Sequence, residues 1–342
     1  MRYPWANTAL LVLLLVQLAT GIGALLSGSE QFSWVLWLHG IAGYAIGVVL
    51  FWKGAIVWNV LSRRKWTASR VAFLGMLVLL LVILGTGFYW SYIGPAYFYG
   101  FSLMVVHGTL AAVLVLPLLW HFVARRWVLR VREARDRRAL LRLAGLGLAG
   151  LAFWRVAGPA KAALELRGSE RRFTGSYETG SRTGRFPEVS WLFDAPRPVE
   201  AEGWQLVIEG LVERPISLSY DALLALPQER VTETIDCTGG WYSTQEWTGV
   251  RVGHLLETAG VLPGARSITV EAVTGYSRRF GVEELSQYIL ATHVAGEPLT
   301  HGHGTPARLV ASGHRGYEWV KWVARLHANE SGPNAQPPLP LQ

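Results

Sequence analysis

The chain has 342 residues, of which 51% are hydrophobic and 16% charged, so it has room for about two domains and its composition favours a membrane protein. Its net charge of +8 would suit a nucleic-acid-binding protein, but segments 59–70 and 125–142 alone carry +4 and +6. Basic clusters between apolar segments are typical of membrane topology, so no nucleic-acid partner is expected. The single cysteine, Cys237, excludes an internal disulfide framework.

Four apolar segments in the first half are each near the ~20 residues that a helix needs to cross a bilayer: 8–26, 35–59, 70–90 and 104–124. The loops between them alternate in charge. "SGSEQFS" and "SYIGPAYFYG" contain no lysine or arginine, whereas "SRRKWTASR" and "ARRWVLRVREARDRR" are strongly basic. The positive-inside rule then predicts a multi-pass protein of the cytoplasmic (inner) membrane, with the N-terminus and both basic loops in the cytoplasm.

A fifth apolar segment differs from the first four. It lies in "DRRALLRLAGLGLAGLAFWRVAGPAKAA" (136–163), and only twelve apolar residues separate Arg142 from Arg155. A run this short, after the arginine pair Arg137–Arg138, resembles a twin-arginine (Tat) signal, although arginine-rich loops also produce such pairs by chance. The Tat export machinery, which exports folded proteins, is therefore an expected partner.

This fifth segment is predicted to remain as an uncleaved anchor that places the following residues on the periplasmic side. The alternative is cleavage at Ala160-Lys161-Ala162, which has the small residues that cleavage sites prefer.

The second and fourth apolar segments repeat one pattern. "LHGIAGYAIGVVLFWK" (38–53) aligns without gaps to "VHGTLAAVLVLPLLWH" (106–121), and the preceding segments share "ATGIG" and "LGTGF". The four helices are therefore predicted to be a duplicated two-helix unit.

The repeat contains the candidate haem ligands. His107 and His121 are separated by about 40° around a helix and about 21 Å along it, which resembles the paired-haem spacing of membrane b-type cytochromes. His39 and His107 are predicted at the same depth, where two imidazoles supply both axial ligands of one haem b, and Gly40 and Gly108 leave room for the porphyrin. The alternative is a pair of hydrogen-bonded structural histidines.

A second haem at His121 is left open. Its repeat partner is Lys53, which either binds iron as a neutral amine or extends to the cytoplasmic interface. The other possibilities for this inner site are a quinone pocket and a vestigial site, and the quinone pool is an expected electron partner.

The second half predicts a different fold. Strand-like runs such as "WQLVIEGLV" (204–212) and "SITVEAVTGY" (267–276) alternate with short helical patterns in "SYDALLALP" and "GVRVGHLLETAG". We therefore expect an α+β domain, followed by a tail, "SGPNAQPPLPLQ", whose composition indicates disorder. The predicted divisions are a four-helix domain, a basic loop with the Tat-like segment, the exported domain and the tail: 1–126, 127–162, 163–330 and 331–342.

Four motifs carry a resemblance over residues 186–328: "TIDCTGGWYSTQEWTGVRVGHLL", "TGYSRRF", "HGHGTPARLV" and "HRGYEWVKWV". Together they resemble the sulfite-oxidase-type molybdopterin domain. That resemblance implies an enzyme with a molybdenum–molybdopterin cofactor that transfers an oxygen atom to or from a small substrate.

The resemblance also implies the site residues. Cys237 matches the cysteine that binds molybdenum, and a thiolate suits this soft metal, whereas a lone cysteine without the motif is usually a buried apolar residue. His303, Arg308 and Lys321 match positions that hold the pterin and its phosphate, and Thr274 and Gly316 are weaker matches. His301 and His314 lie either near the site or on surface loops.

One departure bears on the substrate. Sulfite oxidases follow the ligand cysteine with Ala-Gly-Asn-Arg, whereas this chain has Thr-Gly-Gly-Trp at 238–241. The tryptophan four residues after the cysteine makes this motif resemble that of the periplasmic protein-methionine-sulfoxide reductase catalytic subunit. Reduction of an S-oxide or N-oxide is therefore favoured over sulfite-type oxidation; a metal-free partner-binding domain on an electron-transfer cytochrome is the third reading.

Overall fold

The computed structural model describes residues 4–62, 67–124, 137–192 and 194–340. The chain divides into two compact units, Met1–Tyr177 and Glu178–Gln342. The sequence predicts a boundary after residue 162, but residues 163–177 belong to the helical unit. One reason is a hydrogen bond from the indole of Trp90 to the carbonyl of Gly175, at 2.9 Å.

Within its described residues, the helical unit has five long helices: α1 (Pro4–Leu26), α2 (Ser33–Leu61), α3 (Ala68–Tyr92), α4 (Leu103–Ala124) and α5 (Arg137–Ala163). A stretch of 18 to 27 residues along each of them is long and apolar enough to cross a membrane, and the stretch along α2 begins just before that helix, at Glu30. The short strands β1 (Tyr97–Phe98) and β2 (Phe101–Ser102) form a hairpin between α3 and α4. Single 3-10 turns occur at Glu30–Phe32 and Arg167–Ser169.

The helices pack as pairs along the chain, α1 on α2 and α3 on α4, with α5 on α2. Small residues allow the closest approach. Ala42 and Ala45 of α2 are buried, and a Cβ on Gly150 of α5 would lie 2.4 Å from the carbonyl oxygen of Ile41. Gly150 therefore allows α5 to lie directly against the backbone of α2.

The fifth helix is longer than its twelve-residue apolar run. It begins at Arg137, in the twin-arginine-like segment, and it includes Pro159 near its end. The possible cleavage triplet lies within its last residues, where Lys161 is buried and its ammonium lies 5.5 Å from the centre of the Tyr92 ring.

The second unit contains two sheets and three short helices. Its strands are β4 (Gln205–Gly210), β5 (Ile216–Ser219), β6 (Gln228–Asp236), β7 (Trp241–Arg251), β8 (Ser267–Ala272), β9 (Ser277–Gly281), β10 (Ile289–Val294), β11 (Glu297–Pro298), β12 (Arg308–Val310) and β13 (Val323–Asn329), with β3 (Tyr177–Glu178) at the boundary of the two units. One sheet has the order β11–β10–β7, with β12 also paired to β10 and β6 to β7. The other has the order β5–β4–β13–β8–β9, in which β4 and β13 are parallel.

The helices of this unit are α6 (Tyr220–Leu224), α7 (Val252–Ala259) and α8 (Val282–Ser286), with a 3-10 turn at Gly316–Glu318. Local chemistry sets their ends. The Ser219 hydroxyl accepts from the N–H of Ala222 at the start of α6, and Gly260 ends α7 with a φ of +68°. The helices predicted from "SYDALLALP" and "GVRVGHLLETAG" are confirmed, as is the α+β class.

Both sheets contribute to one hydrophobic core. Leu206 and Ile208 of β4, Val250 of β7, Val270 of β8 and Leu290 of β10 are all at most 1% exposed. Period-2 alternation along β4 and β8 places these side chains on one face of each strand. This core supports the strands and loops in which the site residues lie.

The tail that the sequence predicts to be disordered contacts β9. The side-chain amide of Gln336 makes two hydrogen bonds with the backbone of Arg279: its oxygen accepts from the N–H at 2.9 Å, and its nitrogen donates to the carbonyl at 2.7 Å. The guanidinium of Arg278 also donates to the carbonyl of Pro337 at 3.1 Å. Composition alone missed this segment because polar contacts to β9, rather than apolar burial, hold it in place.

Candidate functional site

Cys237 lies in the tight turn between two long strands. β6 ends at Asp236 and β7 begins at Trp241, and the N–H of Cys237 donates to the Trp241 carbonyl at 2.9 Å. Gly240 closes the turn by donating to the Cys237 carbonyl at 3.0 Å, and its φ of +89° favours glycine. The Cys237 sulfur accepts a hydrogen bond from the N–H of Gly239 at 3.3 Å. The turn thus holds the sulfur in a fixed place.

A buried ion pair, Arg315 with Asp236, stabilises this turn. The guanidinium of Arg315 lies 2.6 Å from the carboxylate of Asp236, and it also donates to the carbonyl of Cys237 at 3.2 Å. Both charged side chains are buried. At the next residue, a Cβ on Gly316 would lie 3.2 Å from the Cα of Cys237. The segment containing Arg315 and Gly316 therefore fixes the backbone of the cysteine.

One pocket contains Cys237 and side chains from several loops. Five of the six site residues predicted for this unit line it: Cys237, His303, Arg308, Gly316 and Lys321. The remaining lining includes Trp241, Tyr317 and the segment around Phe186 and Trp191. The structure therefore brings together side chains that lie up to 135 positions apart, from Phe186 to Lys321.

Three polar atoms beside this pocket are buried and lack a hydrogen-bond partner within the described part of the chain. They are the indole nitrogen of Trp241, Nδ1 of His303 and Nε of Arg308. Leaving a buried polar group unpaired costs about 1–3 kcal/mol, so such groups are rare unless something else satisfies them. Their grouping around one pocket indicates a polar ligand.

Arg308 gives the pocket a buried positive charge. Its guanidinium donates to the carbonyl of His303 at 2.9 Å and lies over the rings of Trp247 and Trp319. Burial lowers the pKa of Arg308 to about 9, although the nearby Cys237 acts in the opposite direction. No described carboxylate forms an ion pair with it, so an anionic group would stabilise this site.

His303 is fixed as a neutral acceptor. Its Nε2 lies 3.0 Å from the carbonyl oxygen of Phe186, and its ring stacks on the Phe186 ring at 3.9 Å between centroids. Because a carbonyl only accepts, Nε2 donates, and a neutral imidazole then has its lone pair on Nδ1. Burial lowers the pKa of His303, which favours this neutral form.

Lys321 lines the pocket, but its ammonium group already has protein partners. It donates to the Ser190 hydroxyl at 2.9 Å, the Gly302 carbonyl at 3.0 Å and the Val189 carbonyl at 3.2 Å. These are all three donors of an ammonium group. Burial lowers the pKa of Lys321 to about 8. Its contacts hold the two loops on which the pocket depends and supply positive charge.

Thr274 does not line the pocket. It is exposed, and its hydroxyl donates to the carboxylate of Asp194 at 2.7 Å. Asp194 is buried and does line the pocket, and burial raises its pKa. Thr274 therefore acts on the site through Asp194.

Sequence reasoning missed two contributors. Trp241 is buried, and its indole N–H also borders the pocket without a described partner. Arg315 was not considered. The sequence could have indicated Arg315, because it lies between His314 and Gly316 in the motif that also contains Lys321. Only the structure shows that it forms an ion pair with Asp236.

His301 and His314 both lie outside the pocket lining. His314 forms a contact between two carboxylates, with Nδ1 at 2.5 Å from Glu318 and Nε2 at 2.7 Å from Glu284. The guanidinium of Arg278 binds the same Glu318 at 3.2 Å. This network holds the segment that continues into Arg315.

In the helical unit, His39 of α2 and His107 of α4 face each other. Their ring centroids are 6.2 Å apart and the ring planes differ by 74°. Imidazole nitrogens bind metal ions at about 2.0–2.1 Å, so one metal between two rings separates their centroids by about 6.3 Å. The observed separation leaves room for one metal between the rings, and it is also that of an ordinary edge-to-face ring contact.

The glycines that follow the two histidines, Gly40 and Gly108, have different surroundings. A Cβ on Gly40 would lie 3.0 Å from the ring of Trp154 in α5, so Gly40 makes room for this tryptophan. Gly108 has open space around it among the described residues. Only Gly108 therefore matches the expectation of free space beside the histidines.

The inner candidate site is only partly described. His121 belongs to α4, but its side chain lies outside the described residues. The ammonium of Lys53 donates to the side-chain oxygen of Asn7 in α1.

Comparisons with known proteins identify the family of the second half of the chain. Residues 193–336 match the model of the oxidoreductase molybdopterin binding domain family. The uncharacterized oxidoreductase YuiH of Bacillus subtilis is 31% identical over 41% of this chain and 72% of its own length. The chain belongs to the molybdopterin-binding oxidoreductase family. The protein is therefore an oxidoreductase, and membership of this family supports a molybdenum cofactor. The resemblance of the second half to a molybdopterin domain is confirmed.

This chain covers a smaller share of three other similar proteins. A nitrate reductase of Phaseolus vulgaris is 29% identical over 43% of this chain, which spans 19% of that enzyme. The protein-methionine-sulfoxide reductase catalytic subunit of Xanthomonas campestris is 26% identical over 41% of this chain and 49% of its own. The sulfane dehydrogenase SoxCD of Paracoccus pantotrophus is 31% identical, with 39% and 40% of the two chains covered and a TM-score of 0.38.

The residues of the pocket fit this family's cofactor. A soft sulfur at Cys237 suits molybdenum, Arg308 suits an anionic group, and the unpaired Trp241 and His303 offer one donor and one acceptor. These four residues would hold the cofactor.

The buried ion pair behind Cys237 gives a stability prediction. Asp236→Ala leaves Arg315 buried and uncompensated, and we expect a loss of about 3–5 kcal/mol in the free energy of unfolding. Thermal unfolding of the purified protein measures it. The matched control is Glu246→Ala, which removes the exposed Arg230–Glu246 pair and should cost less than about 1 kcal/mol. Equal effects of the two variants would show that the pair does not support the turn.

His314 gives a pH prediction. Burial opposes its protonation, but the hydrogen bonds to Glu284 and Glu318 raise the pKa of His314 to about 9. An unfolded histidine titrates near about pH 6.5. The raised value therefore stabilises the fold fully below about pH 6.5, and this contribution disappears as the pH rises through about 9. His314→Gln should flatten this part of the stability-versus-pH curve; an unchanged slope would contradict the assignment.

Proposed function

We propose that this protein is a membrane-bound molybdenum oxidoreductase that reduces an S-oxide or N-oxide on the periplasmic side. Its electrons come from the quinone pool through haem b. The catalytic part of this proposal rests on one observation. A single pocket contains Cys237, three buried polar atoms without a described partner, and the buried charge of Arg308. A structural cysteine in a core would not be surrounded by unsatisfied donors and acceptors.

The cofactor roles follow from the contacts. Cys237 is the metal ligand, held by its turn and by Arg315. Arg308 holds an anionic part of the cofactor, and Nδ1 of His303 accepts from a donor on it. When bound, the cofactor supplies two-electron oxo transfer.

The pocket supports an uncharged oxo substrate. Aromatic side chains form much of its wall, including Phe186, Trp191, Trp241 and Tyr317. The ammonium of Lys321 is satisfied by protein oxygens, so it is not a free cation for an anion such as sulfite. The indole N–H of Trp241 is a donor suited to the oxygen of an S-oxide or N-oxide. Relatives named as nitrate and protein-methionine-sulfoxide reductases also support the reducing direction.

The membrane part of the proposal rests on the five apolar helices and on the charge of their loops. The basic segments at 59–70 and 125–142 favour the cytoplasmic side, so five crossings put the second unit outside. The arginine pair Arg137–Arg138 at the start of α5 supports export of the folded unit by the Tat machinery.

The electron-transfer part rests on the histidine pair. The 6.2 Å separation of the His39 and His107 rings supports one haem b with both as axial ligands. For the inner end of the helices the proposal is a second haem on His121, and a quinone there is its alternative.

The catalytic proposal predicts that Cys237→Ser abolishes turnover and lowers molybdenum content while the haem spectrum stays intact. The hydroxyl is a poor replacement for a thiolate on a soft metal. Detergent-purified protein is analysed for molybdenum and for its reduced-minus-oxidised visible spectrum. Turnover is assayed with a chemically reduced dye and a dialkyl sulfoxide or an amine N-oxide, and in the opposite direction with sulfite. Wild-type protein with haem but no molybdenum, or sulfite oxidation without reductase activity, would overturn the proposal.

The haem proposal predicts that His107→Ala removes the b-type absorption band and leaves the molybdenum content unchanged, because an axial ligand is lost. The control is His327→Ala, which changes an exposed histidine of the second unit and should retain the band. A full haem content in His107→Ala would place the ligands elsewhere.

A further inference from the structure

The two facing histidines make the same contact in each half of the repeat. Nδ1 of His39 lies 3.0 Å from the hydroxyl of Thr20 in α1. Nδ1 of His107 lies 3.1 Å from the hydroxyl of Thr86 in α3. Each threonine comes from the helix that precedes its histidine, so the contact is duplicated along with the helices.

The direction of these hydrogen bonds can be deduced. The Thr20 hydroxyl donates its hydrogen to the carbonyl of Val16 at 2.6 Å, and Thr86 donates to the carbonyl of Ile83 at 2.8 Å. A hydroxyl has one hydrogen, so each threonine oxygen must accept from the histidine.

A second acceptor lies beside the His107 ring, where Nδ1 is 3.0 Å from the carbonyl of Ile83. Because a carbonyl never donates, His107 carries hydrogen on Nδ1, and the accepting oxygen of Thr20 gives His39 the same form. When neutral, each imidazole then has a lone pair on Nε2. This is the form that binds a metal through Nε2.

Each threonine is followed by a glycine that contacts the same ring. A Cβ on Gly21 would lie 3.4 Å from Cε1 of His39, and a Cβ on Gly87 would lie 3.1 Å from Cε1 of His107. The second distance is tighter than ordinary contact, so a side chain there would displace the ring. Threonine and glycine together fix both the protonation and the position of each imidazole.

We propose that the pairs Thr20–Gly21 and Thr86–Gly87 are positioning residues that present both Nε2 atoms to one haem iron and set its reduction potential. The inference rests on the haem of the proposed function. Metal-binding histidines commonly donate their other ring N–H to an oxygen, which makes the ligand more electron-rich. Such a ligand stabilises the ferric state, so each threonine lowers the potential.

The test compares Thr20→Val and Thr86→Val with Thr20→Ser and Thr86→Ser in the full-length protein. Valine keeps the shape and removes the hydroxyl acceptor while leaving the backbone carbonyls in place, whereas serine keeps the hydroxyl. Potentiometric titration of the haem should show a higher potential in each valine variant, of about tenfold in the ferric-to-ferrous equilibrium, which is about 59 mV for one electron. The serine variants should return to the wild-type value. Wild-type potentials in both valine variants would overturn the inference.

The glycines provide a second, independent readout. Gly87→Ala should distort the low-spin signature of the haem in electron paramagnetic resonance, because its Cβ crowds His107. Gly21→Ala should have a smaller effect, since its contact is looser. Gly85→Ala is the control on the same helix, because its Cβ meets no described atom within 4 Å. Equal spectra for Gly87→Ala and Gly85→Ala would contradict the role of Gly87.

The histidine variants separate this inference from the haem proposal. If His39→Ala and His107→Ala keep a full low-spin haem, the haem proposal itself fails. If they lose it while the threonine and glycine variants behave as wild type, only the positioning role fails.

Discussion

The catalytic unit depends on the buried ion pair of Asp236 and Arg315. A buried charge pair is costly to desolvate, so it is retained where its geometry is needed. Here it joins the end of β6 to the segment before the 3-10 turn, and the same guanidinium holds the carbonyl of Cys237. The position of the sulfur is therefore set by a charge contact, by a tight glycine turn and by the close approach of Gly316. The pocket is built outward from this fixed point.

The two candidate sites use similar chemistry in different surroundings. In the pocket, a carbonyl of Phe186 accepts from His303 and leaves Nδ1 as the acceptor. Between α2 and α4, both threonine hydroxyls and the carbonyl of Ile83 accept from Nδ1 and leave the lone pair on Nε2. Beside His303 and His107, a carbonyl oxygen, which can only accept, decides which nitrogen of the ring is available. The tautomer is thus a property of the fold.

Much of this organisation was predictable. Long apolar runs, basic loops and the histidine repeat predicted the helical half, and four motifs predicted the molybdopterin domain. Lys321 and Thr274 were identified as contacts of the cofactor, but the structure gives Lys321 three protein acceptors and places Thr274 on Asp194. Pattern alone could not show this because Asp194 lies 80 positions from Thr274, and two of the three acceptors of Lys321 lie more than 130 positions away. The partnership of Arg315 with Asp236, and that of Gln336 with Arg279, were missed for the same reason: polar contacts between distant segments leave no periodicity.

The pairing of helices has a consequence for assembly. Each histidine receives its threonine and glycine from the neighbouring helix of its own hairpin, so each hairpin completes one half of the ligand set without the other. Iron bound by both histidines would then join the two hairpins. In such an arrangement the cofactor serves as a cross-link, and its insertion becomes a step in the maturation of the bundle as well as the source of its redox activity.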